Sequence, residues 1–270
     1  MTVGLLTYAF GQRAFLAGIL VALTCSTMGV FIVLRRLSLI SDGLGHVSLA
    51  GIAAGILLGF YTLWGAMVAV FAGIFGISYL RKLGIAGDTA IAIMFSAGLA
   101  LAIVLISMSN AATAELESYL FGAILGISAQ DLALALVLSA FVIATVYLLF
   151  KEFFAMTFDA EFAKVSGMPV ERLELLFTLL TGLTIVVSIK LVGVLLVTSM
   201  IVVPSVSAML FRIDFRRTIL LANAIAVASV VAGLYVSFWY NLASGGTIVL
   251  VSIAIFLLCV SYSRLARKII

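Results

Sequence analysis

Nine apolar runs, each about 20 residues long, constrain the fold of this chain more than any other feature of its sequence. A helix needs about 20 apolar residues to cross a hydrocarbon core of roughly 30 Å, and only helices and closed barrels satisfy their backbone hydrogen bonds in lipid. The runs therefore predict an all-α polytopic membrane protein of about eight to nine transmembrane helices, with residues 1–270 forming one transmembrane domain. The predicted spans are 15–34, 39–60, 63–80, 89–108, 132–150, 170–189, 192–211, 219–238 and 247–262.

The balance of apolar and charged residues argues against a soluble enzyme or a nucleic-acid-binding domain. Hydrophobic residues make up 65% of the chain and charged residues 10%, whereas soluble domains carry about a quarter charged residues. No Walker loop, GxSxG or HExxH motif occurs, and Cys25 and Cys259 lie far apart within apolar runs. We therefore expect no catalytic residue and no bound cofactor in this chain, so any energy for transport must come from an ion gradient or a partner chain.

The positions of the basic residues predict the orientation, because Lys and Arg accumulate in cytoplasmic loops. With Arg35 and Arg36 in the cytoplasm, threading nine spans leaves only Arg13 and Lys190 outside. The basic residues that then also fall inside are Arg81, Lys82, Lys151, Lys164, Arg172, Arg212, Arg216, Arg217, Arg264, Arg267 and Lys268. The N-terminus is therefore predicted outside the cell and the C-terminus in the cytoplasm.

The second span contains the strongest candidate for a functional site. It carries Asp42 and His46, and His46 is the only histidine of the chain. Residues four apart lie on one face of a helix, so a carboxylate and an imidazole would point the same way from inside a membrane span. Such a pair is the start of a transition-metal site, and an ionisable residue within a span indicates function by default.

A structural alternative exists for the same two residues. Ser41 or Asp42 could cap a helix that starts near Gly43, with His46 hydrogen-bonded between helices.

A tight metal site needs about four ligands, more than the two that this pair supplies. Two chains that meet along a shared axis would supply two carboxylates and two imidazoles, and a transit site must also be weak enough to release its ion.

The segment 158–172, FDAEFAKVSGMPVER, is the second candidate. It is short, amphipathic and predicted to be cytoplasmic; Gly167 would end its helix and Pro169 would suit the first turn of the next one. Such a helix could dock into a soluble partner. The alternative is an ordinary amphipathic helix at the lipid headgroups.

Three weaker signals complete the pattern. Pro204 lies deep in an apolar run and removes one backbone donor, so it predicts either a broken helix or a simple kink. Glu115 and Glu117 fall in a predicted outer loop, where they could attract cations to a pore mouth or remain solvated loop charges. The run 119–127 is too short to span a bilayer and indicates a re-entrant or interfacial segment.

The chain resembles the membrane permease subunits of ABC-type importers for zinc, manganese or ferrous iron. The similarity rests on a series of stretches in the family's order, which together cover nearly the whole chain. They read SLISDGLGHVSLAGIAAGILLG, GDTAIAIMFSAGLALAIVLIS, ELESYLFGAILGIS, DAEFAKVSGMPVERL and KLVGVLLVTSMIVVPSVSA. Each stretch alone is a weak signal, but the series is highly specific.

The resemblance implies a type II importer fold and a set of partners. Two copies of the chain would pair with two ATPase subunits that bind ATP, and an extracytoplasmic protein would deliver the metal at a prokaryotic cell membrane. Asp42 and His46 match the family's metal-path positions. The segment near 158–168 matches the coupling helix that contacts the ATPase; its contact residues would be Asp159, Glu161, Phe162, Ala163, Val165 and Gly167.

Two other functions compete with a metal importer. A siderophore or cobalamin permease of the same fold would have a wider pore and would not need His46. A proton-coupled secondary transporter would use Asp42 and His46 as a proton relay and would work without an ATPase. The ligand types suit zinc, manganese and iron alike, so the sequence does not select one metal.

Overall fold

The computed structural model describes residues 9–108, 119 and 127–269. Eleven helices account for the regular structure of residues 9–108 and 127–269, which confirms the predicted all-α fold. They are α1 (Ala9–Leu34), α2 (Ile40–Leu58), α3 (Thr62–Lys82), α4 (Gly87–Ser107), α5 (Ala129–Leu148), α6 (Phe150–Phe158), α7 (Ala160–Val165), α8 (Val170–Val192), α9 (Val194–Met209), α10 (Phe215–Tyr240) and α11 (Ser244–Ile269).

Eight of the nine predicted spans correspond to helices long and apolar enough to cross a membrane. The exception is the predicted span 192–211, because α8 continues to Val192 and α9 has only 16 residues. At 1.5 Å per residue, α9 is about 24 Å long, shorter than the hydrocarbon core. The expectation of nine full-length spans is therefore corrected to eight long helices and one shorter apolar helix within the described residues.

The interruption between α8 and α9 occurs at Gly193, and α9 runs continuously through Pro204. Gly193 has φ 82° and ψ 161°, a conformation that residues with a Cβ rarely adopt. Pro204 predicted either a broken helix or a simple kink, and the broken helix is wrong because α9 continues through this proline. The helix break therefore lies eleven residues earlier, where a glycine permits the change of direction.

Two ion-pair clusters define opposite ends of the bundle. At one end, called here the basic end, Glu174 of α8 pairs with Arg35 at 3.3 Å and with Arg81 at 2.9 Å. Burial lowers the pKa of Arg35, and the neighbouring Glu174 opposes that shift. At the other end of α8, Lys190 pairs with Asp131 at 2.6 Å. The two ends of α8 thus lie at opposite faces of the bundle, as the threading of the spans requires; which face is cytoplasmic stays a prediction.

The Lys190 cluster is expected to stabilise the fold. Its ammonium group also donates to the Tyr61 hydroxyl at 2.6 Å, and the side chains of Lys190 and Asp131 are only 17% and 22% exposed. Lys190→Met should lower the free energy of unfolding by about 2 kcal/mol, less than the 3–5 kcal/mol of a fully buried broken pair, because Asp131 loses its counter-ion. Thermal unfolding of the purified protein in detergent would measure this change.

The double variant Lys190→Met/Asp131→Asn is the control for that prediction. It removes both charges, so most of the lost stability should return. Equal destabilisation in the single and double variants would contradict a role for the ion pair.

Burial divides the spans into an inner and an outer group. The membrane-spanning windows of α1, α2 and α8 are 67%, 72% and 67% buried, whereas those of α4 and α5 are each 22% buried. The inner position of α2 depends on close packing against α3, where a Cβ on Gly51 would lie 2.2 Å from the Gly65 carbonyl oxygen. Small residues permit this approach of two backbones. The packing places the helix that carries Asp42 and His46 inside the bundle.

Candidate functional site

The start of α2 does not match the alternative in which Ser41 or Asp42 caps the helix. The helix begins at Ile40, its N-cap is Leu39, and no side chain caps it. The Ser41 hydroxyl donates to the Ser38 carbonyl at 2.9 Å, and the Gly43 amide already donates to the Leu39 carbonyl at 3.0 Å. The expectation that Ser41 or Asp42 caps a helix near Gly43 is therefore wrong. Asp42 lies in the first turn, and its carboxylate has no capping role.

Asp42 and His46 lie close enough to interact electrostatically, and both are partly exposed at the surface of the chain. Asp42 also meets the Thr198 side chain of α9. The His46 ring lies edge-on to the Phe95 ring of α4, with 4.4 Å between centroids. The structure thus brings together the two residues that the sequence paired, and it adds contacts from two helices that the spacing could not reveal.

The imidazole of His46 is not hydrogen-bonded between helices within the described residues. Its Nδ1 atom is buried and has no hydrogen-bond partner there. Burying a polar nitrogen without a partner costs free energy, so such an atom in a folded protein calls for an explanation. A ligand bound to this nitrogen would provide one.

Gly98 of α4 packs closely against the backbone at His46. The sequence pattern did not point to this glycine. A Cβ on Gly98 would lie 2.7 Å from the Val47 amide nitrogen and 2.9 Å from the His46 carbonyl carbon. Gly98 is the twelfth of the 21 residues of α4, so His46 is level with the middle of a long span. The only sequence signal for this contact was a lone glycine in the apolar run 89–108.

Gly98→Ala should destabilise the protein and reduce transport, because the new methyl group meets backbone atoms that cannot rotate away. We expect a loss of about 1–3 kcal/mol, as for other overpacked sites. Gly76→Ala is a matched control: its Cβ would meet only the flexible end of the Met94 side chain, with the sulfur at 2.8 Å and Cε at 3.6 Å. Thermal unfolding of both variants tests this, and equal effects would show that backbone contact at Gly98 is unimportant.

The described residues contain no complete metal site. No group of three or more His, Cys, Asp or Glu side chains among them could hold a metal ion. Asp42 and His46 offer one carboxylate and one imidazole, which suit several divalent transition metals. Any metal bound by this pair would need further ligands from water or from a second chain.

The segment 158–172 forms the expected short helix, α7. The Asp159 carboxylate accepts a hydrogen bond from the Phe162 amide at 2.8 Å, and Gly167 follows the helix with φ +84°. Phe162 and Val165 are 68% and 88% exposed, whereas Ala163 is fully buried. Ala163 therefore anchors α7 to its own chain, which corrects its assignment as a contact residue. Asp159, Glu161 and Gly167 are exposed.

The outer-loop acids cannot be placed with the other candidates. Glu115 and Glu117 lie outside the described residues, as does most of the run 119–127. Their assignment to a pore mouth stays a prediction from the sequence.

Comparison with known proteins shows that the chain is similar to transport proteins over nearly its whole length. The ABC 3 transport family matches residues 7–263. The manganese transport system membrane protein MntC of Listeria monocytogenes is 36% identical over 94% of this chain and 90% of its own. The manganese import system permease protein ScaB of Streptococcus gordonii is 33% identical over 94% and 91%. PsaBC from Streptococcus pneumoniae, solved in complex with a Fab, superposes with a TM-score of 0.86 at 32% identity, covering 95% and 92%.

Proposed function

Because the chain belongs to the ABC 3 transport family and is a permease subunit of a metal ABC importer, we propose that it forms the pathway for a divalent transition metal. The transporter would be an ATP-driven homodimer. Asp42 and His46 would be the metal ligands. The observation that carries the proposal is the mid-span position of His46, whose buried Nδ1 has no partner in the described chain.

A homodimer would complete the site. Asp42 and His46 are only partly buried, so part of each side chain is exposed on the single chain, where a second copy could meet it. Two copies would bring two carboxylates and two imidazoles to a shared axis, near the four ligands of a typical transition-metal site. The substrate would be manganese, zinc or ferrous iron. Manganese should be tested first, because two similar permeases are named for it.

The remaining partners follow from the same family. Two ATPase subunits would bind ATP and contact the exposed surface of α7, and an extracytoplasmic protein would deliver the metal. The basic end of the bundle would face the cytoplasm of a prokaryotic cell, with the C-terminus on that side. Membership of an ABC family favours ATP over a proton gradient as the energy source, and relatives named for manganese favour a metal ion over a siderophore or cobalamin.

Reconstitution with and without the ATPase tests the function directly. Vesicles that carry the full complex should accumulate Mn²⁺, Zn²⁺ or Fe²⁺ only when ATP is supplied, and the isolated chain should bind no nucleotide because it lacks a phosphate-cradling loop. Uptake driven by a pH gradient without ATP would instead support the proton-coupled alternative. Uptake of a ferric siderophore or cobalamin without free metal uptake would support the other permease class.

Acidification should weaken metal uptake by the complex. An imidazole must be neutral to bind a metal, so protons compete with the metal as pH falls through the histidine's pKa. Initial uptake rates measured at several pH values, with ATP hydrolysis recorded in parallel, check this expectation. A rate that falls only as ATP hydrolysis falls would remove the histidine from the explanation.

A further inference from the structure

A groove at the basic end is formed by residues that the proposed transport function does not use. It has a volume of about 560 Å³ and lies between the start of α6 and the start of α10. Its walls carry the rings of Phe150, Phe154 and Phe215, with 5.1 Å between the centroids of Phe154 and Phe215. An aromatic groove of this size at a helix-bundle end can hold an organic group far larger than a simple ion.

The rim of the groove is positively charged. It carries Lys151, Arg216 and Arg217, and its only carboxylate is Asp214. Asp214 pairs with Arg217 at 3.4 Å, so the groove keeps a net charge of +2. Lys151 and Arg216 form no ion pair with any described residue, although the Arg216 guanidinium lies 5.3 Å from the centre of the Phe150 ring. Two exposed cations thus flank an apolar floor, which suits a ligand with an anionic head and an apolar body.

The ends of two candidate membrane spans place the groove at the expected level of the lipid headgroups. The spans of α5 and α10 end and begin beside it, at Leu148 and Phe215. The side chains one turn further into the membrane are apolar or aromatic and outward-facing: Tyr147 is 80% exposed, Leu148 77% and Leu220 68%. A lipid whose head occupied the groove would therefore find acyl-chain contacts directly above it.

We propose that this groove binds the headgroup of an anionic phospholipid. The phosphodiester would lie between Lys151 and Arg216, and the glycerol and upper acyl chain would cover the phenylalanine rings. Basic residues at an anionic membrane surface each strengthen binding by roughly fivefold, which makes the two unpaired cations the main determinants.

Lipid retention by the purified complex tests this proposal. The complex should retain phosphatidylglycerol through delipidation better than phosphatidylcholine, as measured by mass spectrometry of bound lipid. Lys151→Gln/Arg216→Gln should reduce phosphatidylglycerol retention by on the order of tenfold or more. The matched control, Lys82→Gln/Arg172→Gln, removes the same charge from other exposed positions of the chain and should retain the lipid.

Several outcomes would overturn the proposal. Equal losses in both double variants would show general attraction of charges and no specific groove. Competition by inorganic phosphate at millimolar concentration would indicate a site for soluble anions. Unchanged lipid retention, together with loss of the ATPase from the purified complex, would assign the groove to a protein partner. All four substituted side chains are exposed, so size-exclusion chromatography should show normally folded variants.

Discussion

Asp42→Asn and His46→Ala are each expected to reduce metal uptake on the order of 100-fold or more. Loss of a residue that merely supports a metal ligand typically costs about 10- to 100-fold, so removal of a ligand should reach at least the upper end of that range. Asparagine keeps the size and one weak oxygen ligand but removes the charge that offsets a dication. His46→Ala removes the only imidazole of the chain, and with it the proposed nitrogen ligand.

The measurement is ATP-dependent uptake of Mn²⁺, Zn²⁺ and Fe²⁺ by vesicles that contain the whole complex. ATP hydrolysis and the amount of assembled complex should stay near the unmodified level, because Asp42 does not cap α2 and His46 Nδ1 has no hydrogen-bond partner among the described residues. Ser41→Ala is a matched control in the same helical turn. Among the described residues its hydroxyl bonds only to the Ser38 carbonyl, so uptake should change little.

The structure sharpens the interpretation of Asp42→Asn. Asparagine is as good an N-cap as aspartate, but Leu39 occupies the cap position of α2. A large defect can therefore be attributed to the lost charge, with helix initiation unaffected. Near-normal uptake by Asp42→Asn, in a complex of normal abundance, would remove Asp42 from the metal path.

Gly167→Pro is expected to uncouple ATP hydrolysis from transport. Gly167 has φ +84°, whereas the φ of proline is fixed near −65°. The Gly167 amide also donates to the Lys164 carbonyl at 3.1 Å, and proline has no N–H to replace this hydrogen bond. The substitution should therefore disrupt the end of α7 while the long spans remain inserted. We expect metal uptake to fall at least about tenfold, with the chain present in the membrane at its usual level.

Gly84→Pro is a closely matched control for that variant. Gly84 has φ +85°, donates to the Arg81 carbonyl at 3.1 Å and follows α3 at the same end of the bundle. The Gly84→Pro variant should have a similar backbone strain, but at a position outside α7. If both proline variants lose coupling equally, the effect belongs to general strain at the basic end and α7 has no special role.

Val165→Asp tests the same surface without breaking the helix. Val165 is 88% exposed, so a charge there should not disturb the fold, yet it would place a carboxylate in an apolar contact with a partner. Co-purification of the ATPase and the number of metal ions taken up per ATP hydrolysed should both fall. Normal values for both would make α7 an ordinary helix at the headgroups.

The sequence by itself determined the fold class and the central pair of residues. Apolar runs of bilayer length predict spans because lipid offers the backbone no hydrogen-bond partner, whatever the neighbouring helices are. Asp42 and His46 lie on one face of α2 because the helical repeat is a property of the local chain. The short helix α7 was predictable for the same reason, since Asp159 and Gly167 act within a few residues of themselves.

Only the tertiary structure decided which residues from distant segments contact the candidate site and which are buried. Gly98 contacts the backbone at His46, Thr198 reaches Asp42, and Ala163 is buried, although nothing in their own segments marks them. The helix break fell at Gly193 instead of Pro204. Each of these outcomes depends on how closely two helices distant in sequence approach each other. That distance is set by packing against the whole bundle, so no local pattern of residues can encode it.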